Sequence, residues 1–188
     1  GYSATASTGK VRMTNTGGSI TGAGDFGNFE VDTGAIGNDI ATASAINFTG
    51  EVRLTSGAID EGVGNITVTN GTVIRGQGQF DDAVTYVGTV NVTYTTSAGT
   101  VIAAGTGNEL PAGGTIGNVT LDFSGTATTL QLAAAFAMTG VLTIPSGQIL
   151  DLNNFALTTG TGVVNNGSVI DTAGGGAGNF LLTRATGT

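Results

Sequence analysis

The sequence predicts an all-β chain, a parallel β-solenoid (β-helix-like) of short strands with Gly/Asn-rich corners. Three observations carry this reading. Gly (34) and Thr (33) make up more than a third of the 188 residues. A pattern of Asn, apolar, any residue, apolar recurs along the chain. Short stretches of period-two alternation are separated by Gly-centred corners, the signature of brief strands and tight turns.

The recurring pattern stands at Asn28-Phe29-Glu30-Val31, Asn65-Ile66-Thr67-Val68, Asn91-Val92-Thr93-Tyr94, Asn118-Val119-Thr120-Leu121, Asn154-Phe155-Ala156-Leu157 and Asn179-Phe180-Leu181-Leu182. Asn47-Phe48-Thr49-Gly50 is a degraded copy. Successive full copies are 37, 26, 27, 36 and 25 residues apart, within the range of solenoid coils or coil pairs. At about 20–27 residues per coil the chain makes roughly seven to nine coils, a rod some 35–45 Å long.

Between the copies, Val52-Arg53-Leu54-Thr55 runs into Ser56-Gly57 and Val141-Leu142-Thr143-Ile144 into Pro145-Ser146-Gly147. Ile149-Leu150-Asp151-Leu152 runs into Asn153-Asn154. Alternation sends Leu142, Ile144, Leu150 and Leu152 inward, joined by Val68, Val92, Val119, Leu121 and Leu157 of the repeats. The Ala-rich run Leu130 to Met138 is the one helix candidate. Its β-branched and Gly-rich neighbours favour a strand over 128–132, a corner at Ala133 to Ala135, and strand again.

Composition removes whole classes of chemistry. Cys, His and Trp are absent, which excludes disulfides, Cys/His zinc sites, thiol nucleophiles and imidazole catalysis. Five Lys and Arg against thirteen Asp and Glu give a net charge of −8, opposing nucleic acid and anionic membranes. The longest apolar run, Leu132 to Met138, is far below the roughly 20 residues of a membrane span, so no membrane insertion is expected. The opening at Gly1, without an initiator Met or an apolar leader, points to a processed product or an excised fragment.

Several segments resemble one another and a known repeat style. Gly107-Asn108-Glu109-Leu110-Pro111, 115–121, 140–144 and 147–152, with 52–60 and 65–72 earlier in the chain, resemble the β-solenoid repeats of large secreted bacterial surface and adhesin-like proteins. The resemblance covers about 46–172. It implies an extracellular or cell-surface location and a role as stalk, adhesin or filament body. Three regions follow: an N-terminal segment 1–45 holding the first coils and a subunit contact, the repeats 46–172, and a Gly-rich linker with a C-terminal strand, 173–188.

Candidate chemistry is sparse. The acidic pairs Asp60-Glu61 and Asp81-Asp82 read as solvated corners. Neighbours on a strand point to opposite faces, so catalysis by either pair is not expected; an oxygen-only calcium site is the alternative there. No other cofactor or metal is expected. Six Asn-X-Ser/Thr sequons begin at Asn47, Asn65, Asn70, Asn91, Asn118 and Asn166, and four of them fall on the repeating Asn, where stacked amides would form a ladder. Thr-x-Thr pairs, among them Thr67/Thr69 and Thr93/Thr95, are too irregularly spaced for an ice-binding face. Gly174 to Asn179 lacks the adjoining copies of a calcium-binding repeat and reads as a linker.

The expected function is therefore structural and not enzymatic: a subunit that polymerises with copies of itself, head to tail through the solenoid ends or by strand donation. The contact residues would be Phe29 and Val31 at one end and Phe180, Leu181 and Leu182 at the other. A monomeric adhesin module binding carbohydrate or a surface is the alternative.

Overall fold

The structure is a computed structural model that describes residues 9–35, 37, 39–60, 66–95, 102–105, 108–111, 115–124, 128–173 and 180–182, with 102–103 and 180–182 as backbone. The described residues are all β, wound as a parallel solenoid in eight coils. The first coil holds β1 (Lys10–Met13), β2 (Ser19–Ile20) and β3 (Gly24–Phe26). Next come β4 (Asn28–Asp32), β5 (Ile40–Thr42) and β6 (Ile46–Phe48), then β7 (Glu51–Ser56), β8 (Ala58–Asp60) and β9 (Ile66–Thr69). The fourth coil has β10 (Thr72–Arg75), β11 (Gln79–Phe80) and β12 (Thr85–Val87), and the fifth β13 (Thr89–Tyr94) and β14 (Ile102–Ala104). β15 (Thr115–Leu121), β16 (Thr129–Leu132) and β17 (Phe136–Met138) form the sixth. The seventh has β18 (Val141–Ile144), β19 (Ile149–Asp151) and β20 (Leu157–Thr159), and the last β21 (Gly162–Asn165), β22 (Ser168–Ile170) and β23 (Phe180–Leu182).

The opening strands of all eight coils form one parallel sheet, β1-β4-β7-β10-β13-β15-β18-β21. Its register builds the core. Val11, Phe29, Val52, Val73, Val92, Val119, Leu142 and Val163 lie in one inward row. All but the two end members are buried. Dispersion and apolar burial thus run unbroken along the axis. The second and third strands of each coil form sheets that are interrupted: β2-β5-β8-β11 and β14-β16-β19-β22 are separate, as are β3-β6-β9-β12 and β17-β20-β23. Both breaks fall at the fifth coil, the longest, where Val92 pairs with Val119, 27 residues on.

The nine sequence-predicted core residues are all buried, and the strand, bend, strand reading of 128–138 holds as β16 and β17. The repeating Asn is two interleaved series, not one. Asn28, Asn91 and Asn118 belong to strands of the continuous sheet, whereas Asn154 precedes β20, a third strand of its coil. Asn65 and Asn179 lie outside the described residues, next to the third strands β9 and β23. Alternation between series explains the uneven 37- and 26-residue spacing.

Among the described residues no continuous amide ladder forms. In the continuous sheet the row through Asn28 continues as Glu51, Thr72, Asn91, Asn118 and Val141, by the register of neighbouring pairs. Asn28 Oδ1 instead accepts the backbone N–H of Glu51 (2.9 Å), Asn91 that of Asn118 (2.8 Å) and Asn118 that of Val141 (2.8 Å). Each amide caps a corner donor of the next coil. Gly fills the position above: a Cβ on Gly50 would come within 2.6 Å of Asn28 Oδ1, and one on Gly117 within 2.6 Å of Asn91 Oδ1. Close backbone approach, not turn geometry, requires glycine at these corners.

Candidate functional site

The sequence placed a subunit contact at Phe29 and Val31, and the structure puts both one rung inside the first described strand. Both are fully buried, between β1 and β7. Among the described residues the outermost rung at this end is β1, whose coil carries no Asn-apolar repeat; its signal is the alternation Lys10-Val11-Arg12-Met13. Val11, Met13, Ile20 and Phe26 are only partly buried against the core. At the other end Val163 and Val169 are partly buried, and Val164 and Ile170 are exposed. Phe180, Leu181 and Leu182 form β23, in register with Leu157, Thr158 and Thr159 of β20.

The first two coils carry a charge ladder on the outer side of the continuous sheet. Lys10 pairs with Glu30, and Arg12 with Asp32 and, at 3.8 Å, with Glu30. Thr55 Oγ1 donates to Glu30 Oε1 (2.8 Å) and Ser56 Oγ to Asp32 Oδ1 (2.7 Å). Burial pushes the Glu30 carboxyl up, but the Lys10 and Thr55 hydrogen bonds and the charges of Lys10 and Arg12 outweigh it, leaving Glu30 below its ordinary value. Hydrogen bonds from Ser56 and Arg12 likewise lower Asp32.

Across coils, the register that pairs Phe80 with Ile59 sets Asp81 beside Asp60, near Asp39. Asp81 and Asp82 are exposed, Asp60 is half-buried, and Glu61 lies outside the described residues. Gln79 Nε2 donates to Asp81 Oδ1 (2.7 Å). Partial burial, then the charge of Asp81, raises the Asp39 carboxyl, with a weaker push from Asp60 and opposition from the Gly37 N–H. Among the described residues no three His, Cys, Asp or Glu side chains are grouped to hold a metal ion. The Gly174–Asn179 run lies outside the described residues.

Two features were not singled out from the sequence. The first is an interior polar cluster at the broken fifth coil. Arg75 occupies the inward row between Leu54 and Tyr94, and its Nε lies 3.2 Å from Glu109 Oε2; the contact is an ion pair whose N–H is not aligned as a hydrogen bond. Glu109 Oε1 accepts from Tyr94 OH (2.9 Å) and from the Gly105 N–H (2.6 Å), while Tyr86 OH donates to the Glu109 carbonyl (2.6 Å). Burial, then the Glu109 charge, pushes both tyrosine hydroxyls well above their ordinary value. The signal was present in Thr72-Val73-Ile74-Arg75, where period two places Arg75 inward with Val73.

The second feature is a cleft of about 340 Å³ along the outer edge of the continuous sheet. Arg53 and Thr55 of the third coil, Gly76 and Gln77 of the fourth, Thr95 of the fifth, and Asp122 and Ser124 line it. Arg53 Nε donates to Glu51 Oε1 (3.1 Å), and a third of the Arg53 side chain is exposed.

Among the described residues these features define a β-solenoid with a largely hydrophobic axis, partly exposed apolar side chains at both ends and an open outer cleft. No protein-family model, curated protein or solved structure matches the chain.

Proposed function

We propose that the chain is a structural subunit of an extracellular filament or surface stalk, stacking head to tail with copies of itself. The observation that carries this reading is the pair of outer edges of one continuous parallel sheet. Among the described residues β1 and β21 each have a single neighbour, and both run in the same direction. The inward row that begins at Val11 and stops at Val163 is therefore one that a second copy extends without reversing strand polarity. Such a contact is heterologous and open, which yields fibres.

Free edges are a hazard that proteins either cover or use. Among the described residues no helix covers either end. Strand donation is the close variant: β23 lies at the edge of its sheet beyond β20, and the same three residues reaching a neighbouring subunit would join the copies covalently continuous on one side and by backbone pairing on the other. The resemblance to secreted bacterial adhesin-like repeats and the low charge content support a cell-surface setting.

Native size-exclusion chromatography followed by negative-stain microscopy tests the reading. Filaments in the void volume, of width matching one solenoid or a bundle, are expected. A monodisperse monomer at every concentration overturns it.

A further inference from the structure

We propose that the outer cleft binds a linear neutral oligosaccharide laid along the solenoid axis. The argument starts with Arg53. Glu51 engages Nε and so fixes the plane of the guanidinium, and the remaining edge carries no hydrogen bond among the described residues. A guanidinium edge presents two parallel donors, matched by two neighbouring hydroxyl oxygens on one sugar ring.

Asp122 lines the same cleft three coils further on, exposed and acceptor-only when ionised, suited to hydroxyl donors of another ring. Between them the Thr95 hydroxyl both donates and accepts, as each sugar hydroxyl does. Three coil steps span about 14 Å at about 4.8 Å each, so successive coils meet successive sugar rings.

The chemistry also selects against other ligands. A polyanion meets a chain of net charge −8 and, in the cleft, one arginine already shared with Glu51 and offset by Asp122. An extended peptide needs backbone partners, and the strands bordering the cleft spend theirs on one another. Among the described residues Asp122 is the one carboxylate in the lining, whereas glycoside cleavage generally uses two, so the cleft holds a glycan without cutting it. The site does not depend on assembly, because a single solenoid already carries all four coils.

Calorimetric titration of the full chain with cellohexaose, N-acetylchitohexaose and mannohexaose, beside a galacturonate hexamer, tests this. At least one neutral hexasaccharide should bind with a Kd on the order of 1 mM or tighter. Arg53→Gln and Asp122→Asn should each weaken it roughly tenfold with unchanged melting temperature, and Thr143→Ala, on the same sheet outside the cleft, should leave it unaltered. No neutral binding up to about 10 mM overturns the proposal. So does affinity indifferent to both cleft variants, or tighter binding of the galacturonate. Filament formation by the same preparation is scored separately, so failure of one reading leaves the other intact.

Discussion

Arg75 Nε lies 3.2 Å from Glu109 Oε2 inside the solenoid, with the two side chains 6% and 0% exposed. Among the described residues the pair sits beside the coil where the second- and third-strand sheets both break, while the continuous sheet runs on through it. Removing one partner strands the other charge in the interior. Glu109→Gln or Arg75→Met alone should therefore cost about 3–5 kcal/mol by chemical denaturation. The double variant should recover much of the loss, because the Gln carbonyl still accepts from Tyr94 and no charge remains. Additive single effects would show that the two groups are not coupled.

The corner arrangement makes a second expectation. Asn118 Oδ1 satisfies the Val141 N–H, and a Cβ on Gly140 would stand 2.7 Å from the Gly117 carbonyl. Asn118→Ala should cost about 1 kcal/mol and Gly140→Ala about 1–3 kcal/mol. A Gly140→Ala protein as stable as the parent would mean that the coils can part at this corner without loss.

Much of this was legible in the sequence. Period-two alternation located Leu142, Ile144, Leu150 and Leu152 correctly because a half-buried strand needs no long-range information to sort its two faces. What the pattern could not carry was which side of the coil a strand occupies. Asn91-Val92 and Asn154-Phe155 read alike, yet one lies within the continuous sheet and the other leads into β20. The rung outside Phe29 was not legible for the same reason: nothing local says that Lys10 to Met13 stacks there. Arg75 was overlooked because charge normally marks the outer face, and its inward position makes sense only with Glu109, 34 residues away.

Acid should loosen the fold. Glu30, Asp32 and Asp151 all lie below the ordinary carboxylate value. At Asp151 burial works upward, but hydrogen bonds from Thr172 (2.5 Å) and Gln131 (2.9 Å) and from the Thr172 and Asn153 N–H groups prevail. A lowered carboxyl contributes stability above its unfolded value, and that contribution disappears as pH falls through the folded one. Melting temperature should stay level above about pH 5 and drop below about pH 4, and Asp151→Asn should flatten the drop. Asp39, raised, opposes the trend weakly. An acid limb unchanged in Asp151→Asn would remove this residue from the account.

Charge also bears on how assembled rods associate. With thirteen acidic residues against five basic ones, side-by-side contact is opposed by like-charge repulsion, which salt screens over a Debye length of about 8 Å at physiological ionic strength. Light scattering should rise as sodium chloride or millimolar calcium is added, through bundling and not through unfolding. Scattering indifferent to both would show that charge does not control lateral association.

The end contact can be tested without disturbing the fold. Val163 occupies the inward row in the last coil, where it is only partly buried, while Leu150 is fully enclosed one coil earlier. A charge at Leu150 has no route to water, so Leu150→Asp should prevent folding. Lysine at Val163 can extend its ammonium past the open edge, so the monomer should fold with a modest loss of stability. In a stacked filament that same position faces Val11 of the next copy, and the ammonium is then enclosed among apolar rows. Val163→Lys should accordingly give a folded, cooperatively melting monomer that elutes late and forms no filaments. Deleting 174–188 separates the two modes of contact: a truncated chain that still polymerises stacks through β1 and β21, and one that stays monomeric requires β23. If Val163→Lys polymerises normally in both backgrounds, the contact lies on the sides of the rod and not at its ends.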